Sequence, residues 1–206
     1  MTLLFKVLDH LPVPPKEIID QVDLTLRPAS NDLGRYTQRW LVNWGDTATK
    51  AGQNLRMEFL EFENWTKTNI HSDIVDAGVN YVSIDPVADC LPMSTGGHTD
   101  KIRNYVLLFP ILQGGVDTKL TFWQEKDHPI VRPTATDAED GNKLKMLDFI
   151  TLPENKWTLI HTNVIHSVEN LLSTRINLQI SLLYNPWADE MFQSPGKISI
   201  VEEKND

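Results

Sequence analysis

The opening Leu3-Leu4-Phe5-Lys6-Val7-Leu8 is an apolar run broken by one lysine and closed by Asp9, which reads as a first β-strand. Pro12, Pro14 and Pro15 then punctuate a turn. Pro15 suits the first position of a helix through Lys16 to Val22, whose buried stripe would be Ile18, Ile19 and Val22. Residues 55 to 70 bring Leu55, Phe59, Phe62 and Trp65 near helical spacing with charges between them, the strongest helix signal in the chain. From Val79 the period shortens to β-rich runs at 79 to 84, 105 to 112, 119 to 124, 157 to 161 and 175 to 184, with Gly, Pro and Asn between them. A helical front followed by many short strands predicts a mainly β fold with N-terminal helices. The expected architecture is a double-sheet jelly roll with the helices packed on one sheet and a site in its mouth.

With 206 residues the chain suits one domain with a full core. The expected layout is an N-terminal strand and supporting helices over 1–78, a jelly-roll core over 79–186 and a C-terminal extension over 187–206. Residues 125–146 lack periodicity and carry two prolines among many polar groups, so they read as a long loop. A variable surface excursion is the first reading of that loop, and a lid or recognition loop beside a pocket the second. The tail 201–206 reads as a frayed acidic end.

Charge and cysteine content narrow the setting. A net charge of -9 argues against the broad basic footprint that phosphate backbones require. The single Cys90 excludes an internal disulfide and a CxxC-type metal site, and it suits a reducing, cytoplasmic compartment. No apolar run approaches the roughly 18 residues of a membrane span. The first nine residues are charged too early for a secretory signal, so neither membrane nor export is expected.

Candidate chemistry centres on Ser94-Thr95-Gly96-Gly97-His98-Thr99-Asp100. In a strand, side chains two residues apart share a face, so His98 and Asp100 can converge on one ion, and the preceding glycines allow a tight approach. A histidine two residues from an aspartate is, by itself, more often a solvated surface pair. Two imidazoles and one carboxylate on one face of iron(II) leave the opposite face open to substrates. The third ligand would be His161 or His166. His166 is preferred because Arg175 follows it nine residues later and opens an alternating strand. There Ile176, Leu178, Ile180 and Leu182 form one face, and Arg175, Asn177, Gln179 and Ser181 the other. A polar face is costly in a sealed apolar interior, so it should line a polar cavity, where the planar guanidinium of Arg175 can hold a carboxylate through two parallel hydrogen bonds.

The set His98-Thr99-Asp100, His166 and Arg175, within GGHTDKIRNYVLLFPI and IHSVENLLSTRINLQISL, resembles the Fe(II)/2-oxoglutarate-dependent oxygenases over about residues 80 to 185. That resemblance implies a double-stranded β-helix, iron held by His98, Asp100 and His166, and the distal carboxylate of 2-oxoglutarate held by Arg175. Many members carry a small hydroxyl residue where this chain has Asn177, which can still hydrogen-bond the co-substrate. Tyr105 is a second candidate donor to it, weighed evenly against a core tyrosine. Arg103 is a candidate substrate or co-substrate contact, weighed against a surface arginine. His161 reads first as structural and second as a support behind the metal ligands, and His10, His71 and His128 read as structural or surface residues.

The family's reaction consumes 2-oxoglutarate and O2 and releases succinate and CO2. Asp100 favours hydroxylation, since the related halogenases replace the carboxylate with a small residue to admit halide. The expected substrate is a peptidyl or free amino-acid side chain or another small molecule. Residues 175 to 181 resemble the Arg-x-Asn-x-Thr-x-Arg signature of alkylation-repair demethylases, but Gln179 and Ser181 break it, and with the acidic charge they set nucleic-acid demethylation low. The rival classes are a non-catalytic metal- or small-molecule-binding jelly roll, and a hydrolytic or isomerising cupin-type metalloenzyme using the ion as a Lewis acid. The second of these has no need of an arginine anchor.

Overall fold

The computed structural model describes residues 3–22, 36–42, 60–84, 94–100, 103–132 and 143–188, with backbone alone for 36–42 and 83–84. Among the described residues nine strands form two antiparallel sheets, with two helices beside them. The strands are β1 (Phe5–Leu8), β2 (Tyr36–Val42), β3 (Asp76–Ile84), β4 (Tyr105–Gln113), β5 (Lys119–Glu125), β6 (Leu144–Ile150), β7 (Trp157–His161), β8 (Ile165–Glu169) and β9 (Arg175–Leu182). The larger sheet has the order β1-β7-β4-β9-β3-β2 and the smaller β6-β5-β8. From β4 onward the chain passes from the larger sheet to the smaller for β5 and β6, returns for β7, crosses for β8 and returns for β9. None of the helices among the described residues is long and apolar enough to cross a membrane.

Helix α1 (Lys16–Ile19) is a single turn, shorter than the stripe over 16 to 22 predicts, and Pro15 caps it in an extended conformation. Its Ile18, together with Val22 beyond the helix, is nonetheless buried. Helix α2 (Leu60–Asn69) is the described part of the 55-to-70 helix; it buries Phe62, while Leu55 and Phe59 lie outside the described residues. These apolar groups cover one face of the larger sheet, packing on Val79, Tyr81, Leu107, Trp157, Leu159 and the even-numbered residues of β9. The opposite face carries Val82, Val106, Leu108 and Ile160, which meet Leu120, Phe122 and Val168 of the smaller sheet. The larger sheet is thus the middle of three layers, and all eight residues of β9 are buried. Its alternation follows from that position: one face meets helices, the other a partly polar interior.

Several boundaries differ from expectation. β1, β2 and the start of β3 fall within residues 1–78, so the front of the chain contributes strands to the same sheet as the core. β6 begins at Leu144, inside the predicted loop, and exposes Met146 and Phe149 at the edge of its sheet. β8 was absent from the predicted strands. Within the loop, Val131 bridges to Val164 and Arg132 forms a buried ion pair with Glu125 at 2.5 Å. The residues on which a lid would depend, 133–142, lie outside those described, as does the acidic tail.

Candidate metal centre

His98 and Asp100 do not sit in a regular strand, contrary to the expectation. Their segment is instead laced along β8 by selected bonds. The Thr95 N–H donates to the Val168 carbonyl (3.0 Å), and the Val168 N–H returns to Thr95 Oγ1 (2.9 Å). His98 and His166 exchange backbone hydrogen bonds at 3.1 and 2.9 Å, and the Asp100 N–H donates to Thr162 at 3.1 Å. Gly96 adopts φ +76°, and a Cβ there would meet no atom within 4 Å. The glycine therefore supplies a left-handed backbone rather than the close approach expected of it.

The lacing brings the two rings to 4.8 Å between centroids. Ligand atoms of His98, Asp100 and His166 all lie within 4.8 Å of one another. In both histidines Nδ1 faces the carbonyl two residues upstream, Gly96 at 3.0 Å for His98 and Val164 at 2.9 Å for His166. A carbonyl can only accept, so each Nδ1 carries the proton and each Nε2 keeps its lone pair. Burial lowers the His166 pKa to about 4, and its imidazole is therefore neutral at pH 7, the form that ligates metals. Burial also pushes the Asp100 carboxyl up, but Arg103 and the two histidines outweigh it and hold the group below the usual carboxylate range. The donor set is one carboxylate and two imidazoles, which fits a divalent transition metal with open positions.

These three residues line a cavity of about 50 Å³ together with Arg175, Gln179 and Asn80. Arg175 starts β9 and is 4% exposed, and burial lowers its pKa to about 10, which still leaves it charged at pH 7. Among the described residues no acceptor is hydrogen-bonded to its guanidinium. A buried cation without a counter-charge is costly, so the position calls for an anion. Gly114 makes the approach possible, because its φ is +89° and a Cβ there would stand 2.7 Å from Leu171 Cδ2 and 3.0 Å from Arg175 Cβ. Asn177 shares the polar face of β9; it is wholly buried, with both amide atoms unpaired.

The other sequence candidates divide. Tyr105 does not reach this cavity. It stacks on His161 at 4.6 Å and 14° with the core on the helix side, one residue out of phase with Val106, which does line the cavity. That phase corrects the expectation of a co-substrate donor at Tyr105. His161 stays with it, away from the metal-ligand cluster. Arg103 is neither a surface residue nor a free contact: its Nε donates to Asp100 Oδ2 at 2.6 Å and its Nη1 to Ser181 Oγ at 3.0 Å. Asn80 and Thr95 also line the cavity and escaped sequence reasoning. For Asn80 a signal existed, a lone carboxamide between Val79 and Tyr81 in an apolar strand.

No family model matches the chain, and no curated protein matches it. Among solved structures it is similar to a prolyl-4-hydroxylase from Pseudomonas putida, with 11% identity over 89% of this chain and 94% of that one and a TM-score of 0.37.

Proposed function

We propose that this protein is an Fe(II)- and 2-oxoglutarate-dependent dioxygenase that hydroxylates a peptidyl or free amino-acid side chain or another small molecule. The observation that carries the reading is Arg175, a buried guanidinium without an acceptor among the described residues, lining the same cavity as the His98, Asp100 and His166 cluster. In this reading the cluster holds the iron, and Arg175, with Asn177 beside it, holds the distal carboxylate of 2-oxoglutarate. The donor set and the unpaired cation both fit those groups. The sheet orders and the crossings of the chain between sheets support a double-stranded β-helix as the scaffold, with the 94–100 segment lying beside β8 through an isolated bridge.

When bound, iron and 2-oxoglutarate supply the oxidant: 2-oxoglutarate is oxidised to succinate and CO2 with one atom of O2, and the other atom enters a substrate C–H bond. The chain's own work is to fix geometry. The Gly96 and Val164 carbonyls hold the Nε2 lone pairs of the two histidines toward the ion. Arg175 orients the co-substrate by two parallel hydrogen bonds and neutralises its charge. Val106, Leu108, Leu120, Ile160 and Val168 form the apolar part of the cavity wall, which limits water near the metal.

Mixing the protein anaerobically with iron(II) and 2-oxoglutarate should give a visible charge-transfer band, and admitting oxygen should release succinate. Absence of both across a substrate screen would sink the reading, and binding without turnover would reduce it to a non-catalytic binder. Arg175→Ala should leave iron affinity unchanged while weakening 2-oxoglutarate binding about a hundredfold, the scale of a lost charge-assisted pair.

A further inference from the structure

The two oxygens of Asp100 have different employment. Oδ1 faces His98 Nε2 at 4.0 Å, whereas Oδ2 accepts from Arg103 Nε at 2.6 Å. Arg103 is itself braced from β9. Its Nη1 donates to Ser181 Oγ at 3.0 Å, and Gln179, oriented with its carboxamide oxygen toward the guanidinium, accepts from Nη2 at 2.7 Å. The opposite orientation of Gln179 would set donors against donors. Thr162 fixes the backbone at both ends of this unit: its carbonyl accepts from the Asp100 N–H at 3.1 Å, and its hydroxyl donates to the Arg103 carbonyl at 2.8 Å. A rigid fork with three separately placed acceptors is a task for guanidinium and not for ammonium.

The geometry points to Arg103 as a positioning residue that sets how many oxygens Asp100 gives to the metal. A six-coordinate ion bound by two imidazoles and one carboxylate oxygen keeps three positions. If the carboxylate swings to chelate with both oxygens, two remain. A 2-oxo acid that binds through two oxygens then fills the ion and leaves nothing for dioxygen. By occupying Oδ2, Arg103 keeps Asp100 a one-oxygen ligand and reserves the last position. This role rests on the oxygenase reading of the site and adds to it a cavity-lining residue that acts on the metal through Asp100.

The test uses the whole protein loaded with cobalt(II), whose visible spectrum reports coordination number. Arg103→Met should keep cobalt affinity within about threefold of wild type, because all three ligands remain. The affinity of its cobalt–2-oxoglutarate complex for azide, a small-anion probe of the reserved position, should fall about tenfold or more, the scale of losing an outer partner of a metal ligand. Its cobalt spectrum should change before any co-substrate is added. Should Arg103→Met fail to fold, Arg103→Lys retains the charge near Asp100 but cannot meet all three acceptors, and it should show the same split at about threefold or more. Parallel loss of both affinities would mark a merely structural ion pair and overturn the role, as would wild-type behaviour in either folded variant. If wild type binds neither cobalt nor 2-oxoglutarate, the oxygenase reading fails and the role fails with it.

Discussion

The polar face of β9 offers two guanidiniums in opposite conditions. At its C-terminal end Gln179 and Ser181 brace Arg103, which is saturated by protein acceptors including Asp100. At its N-terminal end Arg175 lines the cavity with no acceptor among the described residues. Both are buried enough for desolvation to matter, so the difference in partners decides what each contributes. A saturated arginine belongs to the architecture of the folded protein. An unsaturated one is held at a cost that a ligand relieves. Ligand dependence should therefore concentrate at one end of the strand and fold dependence at the other.

The largest effects should come from the residues between these ends. His166→Ala or Asp100→Ala should abolish stoichiometric metal binding in equilibrium dialysis while circular dichroism still reports a folded β protein; retention of a full equivalent would remove that residue from the site. Next, Arg103→Met should destabilise the metal-free protein by about 3 kcal/mol in urea, since it leaves the Asp100 carboxylate buried and unpaired. Acid should act on a slightly smaller scale. The buried His166 has its pKa lowered to about 4 from 6.5, so the unfolded chain takes up the proton first and stability falls with pH between those values. The loss should reach about 2 kcal/mol at pH 5 relative to pH 7 and shrink in His166→Asn. Smaller again, and opposite in sign to Arg103→Met, Arg175→Met should leave the metal-free protein unchanged or more stable by about 1 kcal/mol, as removing an unpaired buried cation does. Equal destabilisation by the two arginine variants would erase the contrast between the ends of β9. The least effect belongs to His161→Gln, on the Tyr105 side of the sheet, where metal affinity should not move.

Strands with two well-defined faces were legible because their alternation is enforced by burial on each side. β9 is the clearest example, and β4, β5 and β7 fall within a residue of the predicted runs. β6 was hidden because it lies at an edge, where Met146 and Phe149 face solvent and no alternation is required. β8 was hidden by its shortness and by a connection of only three residues after β7. Around the metal centre, the spacing of His98, Asp100, His166 and Arg175 carried the grouping that the fold assembles. It could not show that Tyr105 is one residue out of phase with the cavity wall, since that depends on which face of β4 the helices cover. Nor could it show that Arg103 reaches across to Ser181, a contact between residues 78 positions apart.

β9 has a consequence for how the chain acquires its shape. β3 and β4 do not pair with each other; each hydrogen-bonds to β9, with Val79 matched to Leu178 and Phe109 to the same residue from the other side. As the ribosome releases the chain, five of the sheet's six strands emerge before β9, and the β2–β3 pair can join the β1-β7-β4 group only when β9 arrives between them. Contacts that close over so many residues form slowly, and exposed strand edges invite wrong pairings in the interval. The strand that ends this interval is the one that carries Arg175, Asn177, Gln179 and Ser181. Completion of the sheet and arrival of the site's charged and polar wall are thus one folding event, and a nascent chain stalled before Arg175 would have neither.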